Sequence, residues 1–175
     1  MRLAHKILYI GIASFTMTIV GCHSNSVNKE NIAEVQNTDT IVNVELCNLK
    51  RDRISLYSEI QKKRITIIDF WASWCGPCRS EAPGLISIHN EFKNEGLGFI
   101  GISLDNDFYK WETGIEELQL PWPQYSELRG WKETLALTYN IQSIPYTIVV
   151  NNQGKILAKG LRGKELYDFI SKQFQ

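Results

Sequence analysis

The sequence predicts an α/β domain, a mixed β-sheet flanked by helices. Three observations carry that expectation. Two β-branched and almost wholly apolar runs, "RITIIDFW" (64–71) and "LGFIGISL" (97–104), read as strands buried on both faces. Each is followed by a segment whose apolar residues recur at helical spacing. A third run, "YTIVV" (146–150), meets "KILAK" (155–159) across the turn "NNQG" as a hairpin, and a helical pattern closes the chain. Strands alternating with helices, then a hairpin followed by a helix, imply helices packed on one sheet. Element order alone leaves several topologies open.

Taken in order, residues 1–21 lie outside that domain. Arg2, His5 and Lys6 precede an interrupted apolar stretch from Ile7 to Val20, which is the plan of a signal peptide. The stretch falls short of the roughly 20 apolar residues of a membrane span. It ends "IVGC", which resembles a bacterial lipobox. That resemblance implies cleavage before Cys22 and lipid attachment there. Losing residues 1–21 removes Arg2 and Lys6 and leaves 17 basic against 19 acidic side chains, so charge gives no reason to lie flat on anionic lipid. Residues 22–41 read as the lipidated cysteine and a flexible tether. Their central run, "HSNSVNKENIAEVQNTDT", is rich in Asn and Ser and has no aromatic residue. It would reach about 60 Å extended and roughly 23 Å as a coil.

Residues 42–175 form the expected domain. "IVNVEL" (41–46) alternates as a strand, "KRD" turns, and "RISL" (53–56) returns as its partner. After the 64–71 strand a helix should begin near Gly76, with Ala82, Leu85, Ile86 and Phe92 on its apolar face and Pro83 interrupting its hydrogen bonding. After the 97–104 strand, Trp111, Ile115 and Leu118 mark a helix within 105–120, and "PWP" (121–123) stops it. "ETLALTYNI" (133–141) reads as a short helix. Leu166, Phe169, Ile170 and Phe174 mark the closing one.

Composition narrows the function. Hydrophobic residues make up 43% and charged residues 22%, enough for a packed core. Net charge is zero and no basic block stands out, which argues against a nucleic-acid partner. The cysteines are Cys22, Cys47, Cys75 and Cys78, too few for a disulfide framework. Cys47, at the end of the first strand, reads as a free, inert thiol.

Cys75 and Cys78 stand two residues apart at the junction of a strand and a helix. A structural zinc site needs four ligands, and only one close pair exists, so the pattern calls for no metal. A staple closing so short a loop would remove little chain entropy. Redox work explains more. Unpaired N–H groups and the helix dipole favour a thiolate at Cys75. Gly76 is expected to permit a tight turn, and Pro77 suits the first helical turn. Cys78, one turn on and expected to be the more buried sulfur, would resolve a mixed disulfide. Asp69, in the buried strand, and Glu81, one turn beyond Cys78, are candidate proton carriers, because a carboxyl buried near thiols ionises only near neutral pH. Alternatively, Glu81 is a solvated residue paired with Arg79 or Lys93.

"FWASWCGPC" resembles the thioredoxin active-site signature. With the lipobox and tether, the chain resembles the membrane-anchored TlpA/ResA-like thiol–disulfide oxidoreductases over residues 42–174. The resemblance implies a thioredoxin fold with an N-terminal hairpin and a central insertion between Leu104 and Tyr139. It implies Cys75 as exposed nucleophile, Cys78 as resolver, and Asp69 and Glu81 as active-site acids. It implies a helix-kinking Pro83. It matches "SIPYT" to a loop with a cis Ile144–Pro145 bond, and puts Trp74, Gly76, Pro77, Ile144 and Pro145 on the substrate-facing surface. Tyr146 stands where the family usually has Thr. Trp111, Trp122 and Trp131 read as packing rather than ligand contacts.

The expected activity is reduction of disulfides in envelope proteins, such as apocytochrome c, by a monomer with no cofactor. A membrane electron donor would supply it, with the lipid anchor holding the domain outside the cytoplasm. Two other readings compete: a peroxiredoxin-like thiol peroxidase, and a non-catalytic module that binds extended peptides.

Overall fold

The computed structural model describes residues 39–175. The expected signal segment, Cys22 and most of the tether lie outside the described residues. Strand β1 (Glu45–Cys47) pairs antiparallel with β2 (Arg53–Ser55) as a separate two-stranded sheet. The hairpin is as expected, but its first strand is shorter than the alternation of 41–46 suggested. Ile41 is buried, and its N–H donates to the Gly154 carbonyl at 2.7 Å, while Val42 N–H donates to the Tyr139 hydroxyl. These backbone groups are used outside the hairpin. After Ser55 the chain turns at once into helix α1 (Leu56–Ile60).

The main sheet has the order β5–β4–β3–β6–β7. Strand β3 (Ile65–Trp71) is central, parallel to β4 (Leu97–Ser103) and antiparallel to β6 (Tyr146–Asn151). Every residue of β3 and β4 is buried, as their nearly continuous apolar runs implied. β7 (Ile156–Lys159) completes the hairpin with β6. Strand β5 (Gln124–Tyr125), directly after the "PWP" stop, was not expected. Two residues carry no readable period, and the site exists because β4 offers it a parallel edge. At Gly101 of β4 the sheet lies against the Gln124 side chain, which a β-carbon there would overlap. Gln124 in turn accepts the buried Trp71 indole N–H at 2.9 Å.

The helices follow the expected order: α2 (Gly76–Phe92), α3 (Phe108–Leu118), α4 (Thr134–Thr138) and α5 (Gly163–Gln173), with a 3-10 turn at Gly130–Lys132. Helix α2 runs on through Pro83. Its far end packs on α5 through the Phe92 ring, 6.1 Å from Tyr167 and 5.5 Å from Phe174. Trp122 stacks on Phe99 at 4.6 Å and Trp111 is buried beside Phe108, so both belong to the core. Among the described residues, no helix is long and apolar enough to cross a membrane.

The chain enters the domain along the β6–β7 hairpin. Ile156 N–H donates to the Asp39 carbonyl at 2.6 Å, and Thr40 forms a bridge with Lys155. Cys47 is buried at the end of β1 and is disulfide-bonded, which corrects the expectation of a free thiol.

Candidate active site

The register of β3 fixes the site. Trp71 ends the strand opposite Ser103, and Ala72, Ser73 and Trp74 then cross to α2. Cys75 is the N-cap of that helix, with extended backbone, and its N–H donates to the Ala72 carbonyl at 3.1 Å. Its Sγ accepts the Cys78 N–H at 3.1 Å, so one of the donors left open by the helix start is turned onto this sulfur. Cys75 and Cys78 are joined as a disulfide with their Cα atoms 5.3 Å apart. Residue exposures are 4% and 5%, so neither cysteine is the more exposed one. Bonded sulfurs shield each other. What distinguishes them is the cap, which only Cys75 occupies.

Gly76 opens α2 without a left-handed φ, and a β-carbon there would meet nothing within 4 Å. The expected need for a tight turn is therefore absent. Glycine instead leaves an open face beside the disulfide.

Asp69 sits in the middle of the sheet, between Gly101 of β4 and Thr147 of β6, and is 4% exposed. Its Oδ1 has no hydrogen-bond partner among the described residues. Burial, and secondarily the charge of Glu81, push its carboxyl up to about 7. Glu81 is held differently from either alternative. Its Oε2 accepts from Arg162 Nε at 3.0 Å and its Oε1 from the Gly163 N–H at 3.1 Å, the first residue of α5. The favoured end of a helix dipole and a guanidinium thus anchor it. Arg79 pairs with Glu117 at 2.8 Å and Lys93 with Asn90 at 2.9 Å, so neither is its partner.

The Ile144–Pro145 peptide is cis, as the resemblance implies, and leads directly into β6. Tyr146, next in sequence, lies edge-on to Phe70 at 6.4 Å. Trp74 is 54% exposed, and 6.3 Å from it lies the ring of Trp131, itself 43% exposed. Trp131 thus differs from Trp111 and Trp122. It stands beside the exposed Trp74 rather than in the core.

Two further residues shape the site and were not singled out from the sequence. Asp105 is buried; its Oδ2 accepts the Ser73 N–H at 2.9 Å and the Ser103 hydroxyl at 2.6 Å, and its Oδ1 the Ser73 hydroxyl at 2.7 Å. Glu133, just past Trp131, is buried and accepts the Glu127 N–H at 3.0 Å. Burial, then the nearby Glu127, push its carboxyl up to about 8. The only sequence signal for Asp105 was an acid directly after a buried strand. Helix α3 closes on the same loop at Gly114, where a β-carbon would stand 2.9 Å from Ser73 Cβ.

A family model described as thioredoxin-like matches residues 63–156. The chain is 28% identical over 116 residues to the thiol:disulfide interchange protein HelX of Rhodobacter capsulatus, covering 66% of this chain and 62% of that protein. It is 29% identical over 99 residues to the thiol-disulfide oxidoreductase ResA of Oceanobacillus iheyensis, covering 57% and 50%. It therefore spans between half and two thirds of the length of these relatives. Among solved structures, a thiol-disulfide oxidoreductase from Bacteroides fragilis superposes with a TM-score of 0.71 at 32% identity, covering 77% of this chain and 98% of that one. The thioredoxin domain of a thiol-disulfide oxidoreductase from Bacteroides vulgatus gives 0.70 at 32% identity, covering 78% and 96%.

Proposed function

The chain belongs to the thioredoxin-like family, and on that premise we propose that it is a thiol–disulfide oxidoreductase working through Cys75 and Cys78. The observation that carries the reading is the helix cap: the Cys75 sulfur accepts the Cys78 N–H at the start of α2 while bonded to the Cys78 sulfur. That donor and the helix dipole stabilise a thiolate when the bond opens.

In the reducing direction the Cys75 thiolate attacks one sulfur of a substrate disulfide. A mixed disulfide forms and the other substrate sulfur leaves as a thiolate. The Cys78 thiol gives its proton to Asp69, attacks Cys75 Sγ, and closes the intramolecular disulfide. The second substrate sulfur departs, and the proton returns through Asp69. Two electrons pass to the substrate. Glu81, fixed by Arg162 and α5, sets the field in which Asp69 exchanges that proton. Trp74, Gly76, Pro77 and the cis Ile144–Pro145 segment offer the face on which an extended substrate chain lies, its backbone pairing beside Ile144.

The N-terminal pattern supports export, with the domain facing away from the cytoplasm. Disulfide-bearing envelope proteins, apocytochrome c among them, are the proposed clients, with a membrane protein as electron donor and the domain acting as a monomer. The names of HelX and ResA agree with thiol–disulfide exchange in those proteins.

The test is a trapping experiment with the full chain. Cys78→Ser is expected to accumulate a mixed disulfide on Cys75 when offered an oxidised peptide, and Cys75→Ser to abolish reduction. Undiminished reduction by Cys75→Ser would refute the assignment. A reduction potential in the range of strong periplasmic oxidants would reverse the proposed direction.

A further inference from the structure

Two half-exposed indoles pair beside the start of α2. Trp74 is covalently next to Cys75, and Trp131 comes from the 3-10 turn 57 residues later in the chain. Their rings are 6.3 Å apart and tilted by 53°. Exposed aromatic surface of this kind, continuous with a reactive centre, is a contact surface rather than a leftover of packing.

One residue holds both sides of this pair. The Asp105 carboxylate takes both hydrogen-bond donors of Ser73, the residue before Trp74, and is fixed to the end of β4 by the Ser103 hydroxyl. The Asp105 N–H donates back to Ser103 Oγ at 3.0 Å, which locks its own backbone. Its carbonyl accepts the Gly130 N–H at 3.3 Å, directly before Trp131. Gly130 takes a φ of +57°, and Glu133 N–H donates back to its carbonyl at 3.0 Å, which closes the turn around Trp131. Five hydrogen bonds thus meet at a single buried residue.

We propose that Asp105 is a positioning residue that sets Trp131 against Trp74, so that the two indoles grip an apolar or aromatic side chain flanking the disulfide of an extended polypeptide substrate. The substrate class deepens the oxidoreductase reading above and rests on it. The occupant follows from continuity. A chain whose sulfur is attacked by Cys75 must cross Trp74, and an indole pair rewards large apolar groups over small ones. Asp105 never touches the substrate. It acts through Ser73 and Gly130.

The experiment uses the reduced full chain and two synthetic peptide disulfides, one with phenylalanine beside the cysteine and one with glycine. The wild type is expected to prefer the phenylalanine peptide. Asp105→Asn is expected to lower kcat/KM for that peptide about tenfold, mostly through KM, with a smaller change for the glycine peptide. Trp131→Ala should erase the preference in the same way. The far-ultraviolet exciton couplet of the paired indoles should weaken in Asp105→Asn while its thermal melt remains cooperative. If Asp105→Asn does not fold, Ser73→Ala removes one of the five bonds and should move both readouts in the same direction by less. A folded Asp105→Asn with couplet and preference intact overturns the proposal, as does Ser73→Ala unchanged in both. A wild type indifferent to the flanking residue overturns the substrate class. If the wild type reduces neither peptide, the oxidoreductase reading fails, and the couplet still decides the positioning claim.

Discussion

Replacing Asp69 by asparagine is expected to change how stability depends on pH, and the size of the change follows from burial. Asp69 lies between two buried strands with Oδ1 unpaired, and its carboxyl is raised from 3.8 to about 7. A group raised on folding binds more protons in the native state than in the unfolded one. Its contribution is therefore fully present below the unfolded value and is lost as pH rises through the folded value. At 1.36 kcal/mol per pH unit, the rise corresponds to roughly 4 kcal/mol of wild-type stability lost between about pH 4 and pH 7. Asparagine keeps the shape and carries no titrating proton, so that slope disappears. Urea unfolding of the oxidised protein is the suitable assay, because neither active-site sulfur titrates while the disulfide is closed. Asp69→Asn should unfold at higher urea than the wild type at about pH 8, and the difference should vanish or reverse near pH 4. Parallel profiles for the two proteins would show that Asp69 is ionised in the fold, and the proton relay assigned to it would fail.

Glu133→Gln should act in the same direction, flattening the loss of stability that the wild type shows as pH rises from about 4.5 to about 8, measured by thermal melts across that window. Gly101→Ala should cost about 1–3 kcal/mol by driving Gln124 off the Trp71 indole, seen as a lower urea midpoint together with a change in tryptophan emission. A variant as stable as the wild type would show that Gln124 can swing aside freely.

Strands β3 and β4 were legible because a strand buried on both faces leaves a nearly continuous apolar run. The start of α2 was legible because glycine and proline stand immediately after Cys75, where a helix can begin. The redox pair needed only local spacing. What stayed hidden depends on contacts made at long range. Glu81 offered Arg79 and Lys93 as neighbours on its own helix, yet Arg162 and the start of α5 hold it, 81 residues away. Asp105 stood only as the start of the helical stretch 105–120, and its work on Ser73 appears only once β3 and β4 lie in register. Trp131 shared its composition signal with Trp111 and Trp122. Only the turn at Gly130 separates an indole in solvent from two in the core. The difference between the two cysteines was visible as helix capping and invisible as exposure, because the closed bond covers both.

The docking of Asp39 and Ile41 on the β6–β7 hairpin has a mechanical corollary. In the sheet register Ile65 faces Asn151 at one end of β3, and Phe70 faces Tyr146 at the other, beside the cis peptide. The polypeptide joins the body at the Asn151 pole, about 20 Å of strand from the sulfurs. A leash pulling from upstream would haul on the back of the molecule and leave its reactive pole pointing outward, free to meet whatever drifts past.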